Sequence, residues 1–221
     1  MGPTDVILGG ADKQKALAEL QKSVQGQLNL SMDANGKVTY TKAAPDQLIG
    51  NDSKQLTAAI DDHSITVKVD ATNNKTTSTG NLFIGGAFGG NTVTPSTTPG
   101  GTATVTANQE INPTVLSKSD APFGPDKAGD NTLHEVTEAY QGAKISQASG
   151  VSSGNANAAN SVYPAAHAAA TPQVGAIYQT VYDANGRVIA PNVLGTFPGA
   201  AKADYWVQPT GQPASIIMTF P

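Results

Sequence analysis

Cysteine is absent from the 221 residues. Disulfides, thiolate nucleophiles and cysteine metal ligands are thereby excluded, and any metal must be held by His, Asp or Glu. Charge is scarce as well: 14% of the residues are charged, against about 25% in ordinary globular chains. The net charge of -4 and a pI of about 5.2 argue against nucleic-acid binding through a basic face. No apolar run is long enough for a membrane-crossing helix. Met1–Asp5 lacks the basic and apolar regions of a signal peptide. No Gly-x-Ser-x-Gly elbow is present. Gly85–Gly90 lacks the Gly-Lys-Ser/Thr ending of a phosphate loop and reads as a turn. Histidine is confined to His63, His134 and His167, and glutamate to Glu19, Glu110, Glu135 and Glu138.

What fills the chain is Gly, Pro, Thr, Ser, Asn and Ala. This neutral, loop-rich composition fits a protein secreted or delivered outside the producing cell, and the abrupt end at Phe220-Pro221 fits a domain of a longer chain. Helical spacing of Ala16, Leu17, Leu20 and Val24 predicts a helix over Ala11–Gln25. Two alternating runs joined by Asn35-Gly36 predict a hairpin, and Pro45–Ile60 a second helix with Leu48, Leu56, Ala59 and Ile60 inward. Ile65–Val69 and Thr102–Thr106 alternate as strands. Pro113–Gly129 reads as irregular, Asp130–Gln147 as a helix, Ser149–Asn160 as a mobile linker and Asn160–Ala170 as a short helix. Short strands and turns complete the chain. Asp33-Ala34-Asn35-Gly36-Lys37-Val38 is echoed by Asp183-Ala184-Asn185-Gly186-Arg187-Val188. The echo reads as shared turn chemistry, or as a calcium loop lacking its full ligand pattern.

The chemistry-bearing segment is Thr132-Leu133-His134-Glu135-Val136-Thr137-Glu138-Ala139-Tyr140, of the form H-E-x-x-E. On a helix, positions i and i+4 share a face, so His134 and Glu138 can hold one metal ion, with Glu135 beside them to reach its water. Leu133, Val136, Tyr140 and Ala143 form a separate apolar stripe. A plainer role stands alongside: Thr132-x-x-Glu135 also has the form of a capping box.

The segment resembles the active-site helix of the zincin metallopeptidases, with Glu138 in place of the second histidine, and the wider pattern is similar to compact zincins secreted by bacteria. The resemblance implies an α+β fold, loop-rich, with a small mixed or antiparallel sheet packed on the motif helix. It implies one domain over 1–221, comprising a helix and hairpin in 1–60 and a catalytic core over about 61–221. It further implies Zn2+ as cofactor, a peptide or protein substrate, Glu135 as general base, and a third ligand downstream of the motif. His167, among small residues after a flexible loop, is the chosen third ligand; His63 and Asp204 are lesser candidates. Tyr140, Tyr163, Tyr178 and Tyr205 are available as oxyanion donors, and Tyr205, beside Trp206, is the one selected. Thr102–Thr106 would offer an edge strand for an extended peptide. The competing readings are a non-enzymatic structural or adhesion module and a zincin that has lost catalysis.

Overall fold

The computed structural model describes residues 5–192, 194–195 and 197–221. In chain order the elements are β1 (Val6–Gly9), α1 (Lys13–Ser23), β2 (Leu28–Met32), β3 (Val38–Lys42), α2 (Asn51–Asp61), β4 (Ile65–Ala71), β5 (Gly86–Thr94) and β6 (Thr104–Ile111), then α3 (Pro113–Asp120), α4 (Asp130–Ser149), α5 (Tyr163–Ala169), β7 (Tyr178–Tyr182), β8 (Val188–Ala190), β9 (Lys202–Val207) and β10 (Ser215–Phe220). The fold is α+β.

Alternation builds the first sheet, ordered β1-β4-β6-β5. Ile65, Val67, Val69 and Ala71 of β4 stand opposite Val105, Ala107, Gln109 and Ile111 of β6 in parallel register. All eight are buried, so one face of the sheet is sealed. Against it lie α1 and α4, whose Leu20, Leu133, Val136, Ala139, Tyr140 and Ala143 complete a single core. The sheet is mixed: β1, β4 and β6 run parallel, and β5 returns antiparallel along β6 at the edge. The motif helix therefore lies against a small mixed sheet. A second sheet, ordered β10-β9-β7-β8 and antiparallel, has its own apolar cluster, which takes in Val115 of α3.

Several expectations change. Thr102–Thr106 falls largely in β6, an interior strand between β4 and β5, so it offers no free edge. Gly85–Gly90 is not a turn: from Gly86 onward it is strand β5, which takes a bulge between Phe88 and Gly90. Glycines are needed there because helix α4 and a later loop approach the backbone closely. Pro113–Gly129 is not irregular throughout but contains α3, which is capped: Asn112 accepts from the N–H groups of Thr114 and Val115, and Pro113 occupies the first turn. The second helix begins only at Asn51. Before it, Gln27 accepts the Gly50 N–H at 2.6 Å, and Leu48 is 95% exposed rather than inward. The repeated Asp-Ala-Asn-Gly strings are one turn used twice. Asp33 Oδ1 accepts from Asn35 and Lys37 N–H, and Asp183 Oδ1 accepts from Asn185 and Arg187 N–H, at matching distances of 2.8 and 2.9 Å.

The start of α4 is fixed from outside the helix. Gly129, at φ 88°, is the residue before it, and a Cβ there would stand 2.0 Å from the Glu19 carbonyl of α1. The buried Asp120 carboxylate accepts from Gly129 N–H at 2.8 Å and Asn131 N–H at 3.3 Å. The capping box does not form: Thr132 sits inside the helix, buried, with its hydroxyl unpaired. Burial pushes the Asp120 carboxyl up to about 7, its two backbone donors opposing the shift. A raised folded pKa means that the folded state holds the proton longer than the unfolded chain. This contribution to stability is complete below about pH 4 and is lost as pH rises toward 7. Asp120→Asn should flatten that part of the stability-versus-pH curve, as measured by urea unfolding across the range.

Candidate metal centre

Helix α4 sets His134 and Glu138 one turn apart on one face, and both are 2% exposed. Helix α5 crosses nearby: Ala166, fully buried, packs toward Gly142 of α4, where a side chain would meet both Phe88 and Ala166. That close packing places His167, one residue on, over the motif. His134 Nε2 lies 3.0 Å from His167 Nδ1 and 3.4 Å from Glu138 Oε2, and His167 Nδ1 lies 2.7 Å from Glu138 Oε2. These three residues form a group able to hold a metal ion. An ion bonded tetrahedrally at about 2.1 Å spaces its ligand atoms roughly 3.4 Å apart. The observed triangle needs only a slight widening to accept it.

The imidazole of His134 is oriented by its surroundings. Its Nδ1 lies 2.5 Å from the Thr171 carbonyl, which fixes the proton there and leaves the Nε2 lone pair facing Glu138 and His167. Thr171 is held in turn: its N–H donates to Thr137 Oγ1 at 3.1 Å, and Thr137 bonds back to the Leu133 carbonyl at 2.9 Å. Both threonines are buried. Burial alone pulls the His134 pKa down, but hydrogen bonding to Glu138, the charge of Glu135 and the Thr171 carbonyl more than offset it, so the net shift is upward.

Glu135 points from α4 toward the sheet. Gln109 Nε2 donates to its Oε2 at 2.5 Å and reaches Glu138 Oε1 at 3.4 Å. Gly86 of β5 leaves the space in which the carboxyl sits, since a Cβ there would fall 1.9 Å from it. Burial, then the neighbouring Glu138, pushes the Glu135 pKa up, while His134 and Gln109 oppose. Glu135, Glu138, His167 and Tyr163 line a cleft of about 840 Å³. The Tyr163 ring lies 5.4 Å from that of His167. Its hydroxyl is pushed up to about 12 by burial and by the charges of Glu138 and Glu135.

The motif residues and His167 thus come together, while other candidates lie elsewhere. Tyr205 is in β9, its hydroxyl accepting from Gln179 at 2.8 Å; it belongs to the second sheet's apolar cluster and not to the cleft lining. Asp204 is tied to Lys202 at 2.9 Å and Thr219 at 2.7 Å. His63 occupies the turn between α2 and β4, and Tyr140 donates to Asp62 at 3.0 Å. Gln109, Gly86, Thr137 and Thr171 were not anticipated. Gln109 left a readable trace: it is polar at the inward phase of the Val105-Ala107-Gln109-Ile111 alternation. Thr171 left none, because its contribution is a backbone carbonyl.

No protein-family model matches the chain, and comparisons with curated proteins and with solved structures find no match either.

Three outcomes are expected. Offered zinc, the chain should retain near one ion in plasma mass spectrometry after dialysis, and His134→Ala should retain none. Because imidazole binds metal only when neutral and the His134 pKa is raised, metal affinity should fall up to about tenfold per pH unit on acidification below neutrality. Competition with a chromophoric chelator would measure this. Gly86→Ala, which drives a methyl group into the Glu135 carboxyl, should lower unfolding stability by about 1–3 kcal/mol in urea titration.

Proposed function

We propose that the chain is a zinc-dependent peptidase of the zincin kind. The observation that carries this reading is the convergence of His134, Glu138 and His167, with Glu138 and His167 in the wall of a cleft and a second carboxylate, Glu135, beside them in the same wall and on the same helix as Glu138. Two imidazoles and a carboxylate suit zinc, and a three-residue set leaves a position open for water or substrate. Zinc bound there supplies Lewis acidity toward a carbonyl and an acidified water.

The chain's own groups supply the rest. Glu135, whose raised pKa a cation bound beside it would bring down, takes a proton from the attacking water and returns it to the leaving amine. Gln109 fixes the carboxyl by its short hydrogen bond, and Gly86 leaves it room to stand against β5. Tyr163, beside His167, is placed to donate its hydroxyl proton to the carbonyl oxygen as negative charge develops. Tyr205, in the second sheet's apolar cluster and outside the cleft lining, is not the donor in this reading. A peptide is the favoured substrate because the cleft is bordered by Gly86 and Ala87 of β5, the uncovered start of an edge strand to which an extended chain can add by main-chain hydrogen bonds.

Glu135→Gln should keep the metal and lower peptide hydrolysis by about 10²–10⁴-fold. Tyr163→Phe should lower kcat by about 10²-fold with little change in KM. Both are read with a fluorogenic peptide library and metal analysis of the same samples. A zinc-loaded wild-type protein that cleaves nothing in the library would overturn the reading.

A further inference from the structure

The segment joining α4 to α5, residues 150–162, lies along the outer edge of β5 and is tied to it. Asn91 N–H donates to the Ser153 carbonyl at 2.9 Å and Ser153 N–H to the Asn91 carbonyl at 3.2 Å, an antiparallel bridge. Ala156 N–H donates to the Phe88 carbonyl at 3.1 Å, and Val93 N–H to Ser152 Oγ at 2.9 Å. The strap is braced internally: Gly154 N–H bonds to Asn160 Oδ1 at 3.3 Å, Asn160 Nδ2 to the Ser152 carbonyl at 3.2 Å, and Val162 N–H to Ser153 Oγ at 3.0 Å. Gly90 permits the seating, since at φ 86° a Cβ there would lie 2.4 Å from the Ser153 carbonyl oxygen. Asn155, Ala156 and Asn157 of the strap line the same cleft as Glu135 and His167.

These bonds are the ones an added peptide strand would use. The strap takes the β5 edge at Phe88 and Asn91, leaving beside Glu135 only the short stretch that starts at Gly86. A peptide laid antiparallel there, the pairing that both β6 and the strap adopt with β5, directs its amino end at the strap. There is room for about one or two residues before the edge is taken, at ~3.3 Å per residue. Charge gives the same polarity. Among the described residues lining the cleft the one Lys or Arg is Lys68, on the outward face of β4 between buried Val67 and Val69. No cation therefore stands at the strap to receive a terminal carboxylate, whereas Asn157 offers an amide oxygen to an ammonium group, the Asn155 oxygen being engaged by Asn157 N–H at 3.1 Å.

We propose that the strap makes this site an exopeptidase site, acting on peptides with a free amino end and releasing one or two N-terminal residues. The inference rests on the peptidase reading above. The bond broken is the amide after the first or second residue; water contributes hydroxyl to its carbonyl carbon and a proton to the departing amine, so no further reactant is needed.

The test uses the full chain loaded with zinc and three peptides of one sequence: with a free amine, N-acetylated, and extended at the N-terminus by a flexible Gly/Ser stretch. Mass spectrometry of products should show only one- or two-residue N-terminal fragments from the free peptide. Acetylation should lower kcat/KM by at least about tenfold. Ser153→Pro, which removes the N–H donated to Asn91, should let the extended peptide be cut internally, with metal content checked on the same sample. Internal cleavage of the acetylated and extended peptides by the wild type, at the rate of the free peptide and abolished by Glu135→Gln, would overturn the exopeptidase inference and leave the peptidase reading standing. A Ser153→Pro protein that binds zinc normally and still spares the extended peptide would also overturn it. No cleavage of any peptide would overturn both.

Discussion

Two carboxylates, Glu135 and Glu138, are buried side by side on one helix, and the surrounding structure is arranged to make that tolerable. Removing a carboxylate from water costs several kcal/mol even after relaxation. Here the cost is met by the Gln109 amide reaching both groups, by His134 and His167 against Glu138, and by protonation favoured at Glu135. A cation held by His134, Glu138 and His167 would balance the same charges. Buried acidic groups without partners are costly, and here each carboxylate has one: Gln109 for Glu135, and His134 and His167 for Glu138.

Keeping that set in place falls to elements far apart in the chain. Asp120 and Gly129 fix the start of α4 against α1. Thr171, held by Thr137, turns the His134 ring. The close approach of α5 to Gly142, with Phe88 between strand and helix, sets the height of His167. Each is a contact in which a missing side chain or a single hydrogen bond lets two backbones approach. The strap belongs to the same system, since one segment both delivers α5 and occupies the β5 edge.

Local pattern made much of this legible. Alternation identified Ile65–Val69, the Asn-Gly turn gave the first hairpin, and helical spacing gave α1 and α4 within a few residues. The H-E-x-x-E spacing put His134 and Glu138 on one face, and the small residues around His167 marked a place where helices could meet. Where the reading failed, the local pattern was ambiguous. Gly86–Gly90 has turn composition, yet its glycines serve a strand squeezed against α4 and the strap. Pro113 looked like a breaker, yet it begins α3 because the Asn112 cap satisfies the first turn. Leu48 had helical phase, but Pro45 and Gly50 flank a stretch that is not helical.

The sequence by itself determined which donor atoms could meet on one helix face, by withholding cysteine and placing one histidine and two glutamates within five residues, because i,i+4 spacing on a helix is a local property. It also determined strand β4 and the start of β6, because period-two burial is local too. Only the tertiary structure decided which strand is the edge, that Gln109 meets Glu135, that Tyr163 rather than Tyr205 shares the cleft, and that a loop lies where an extended chain would add. Those facts depend on which distant segments pair, and pairing across the chain is set by the joint packing of a core rather than by any window of residues.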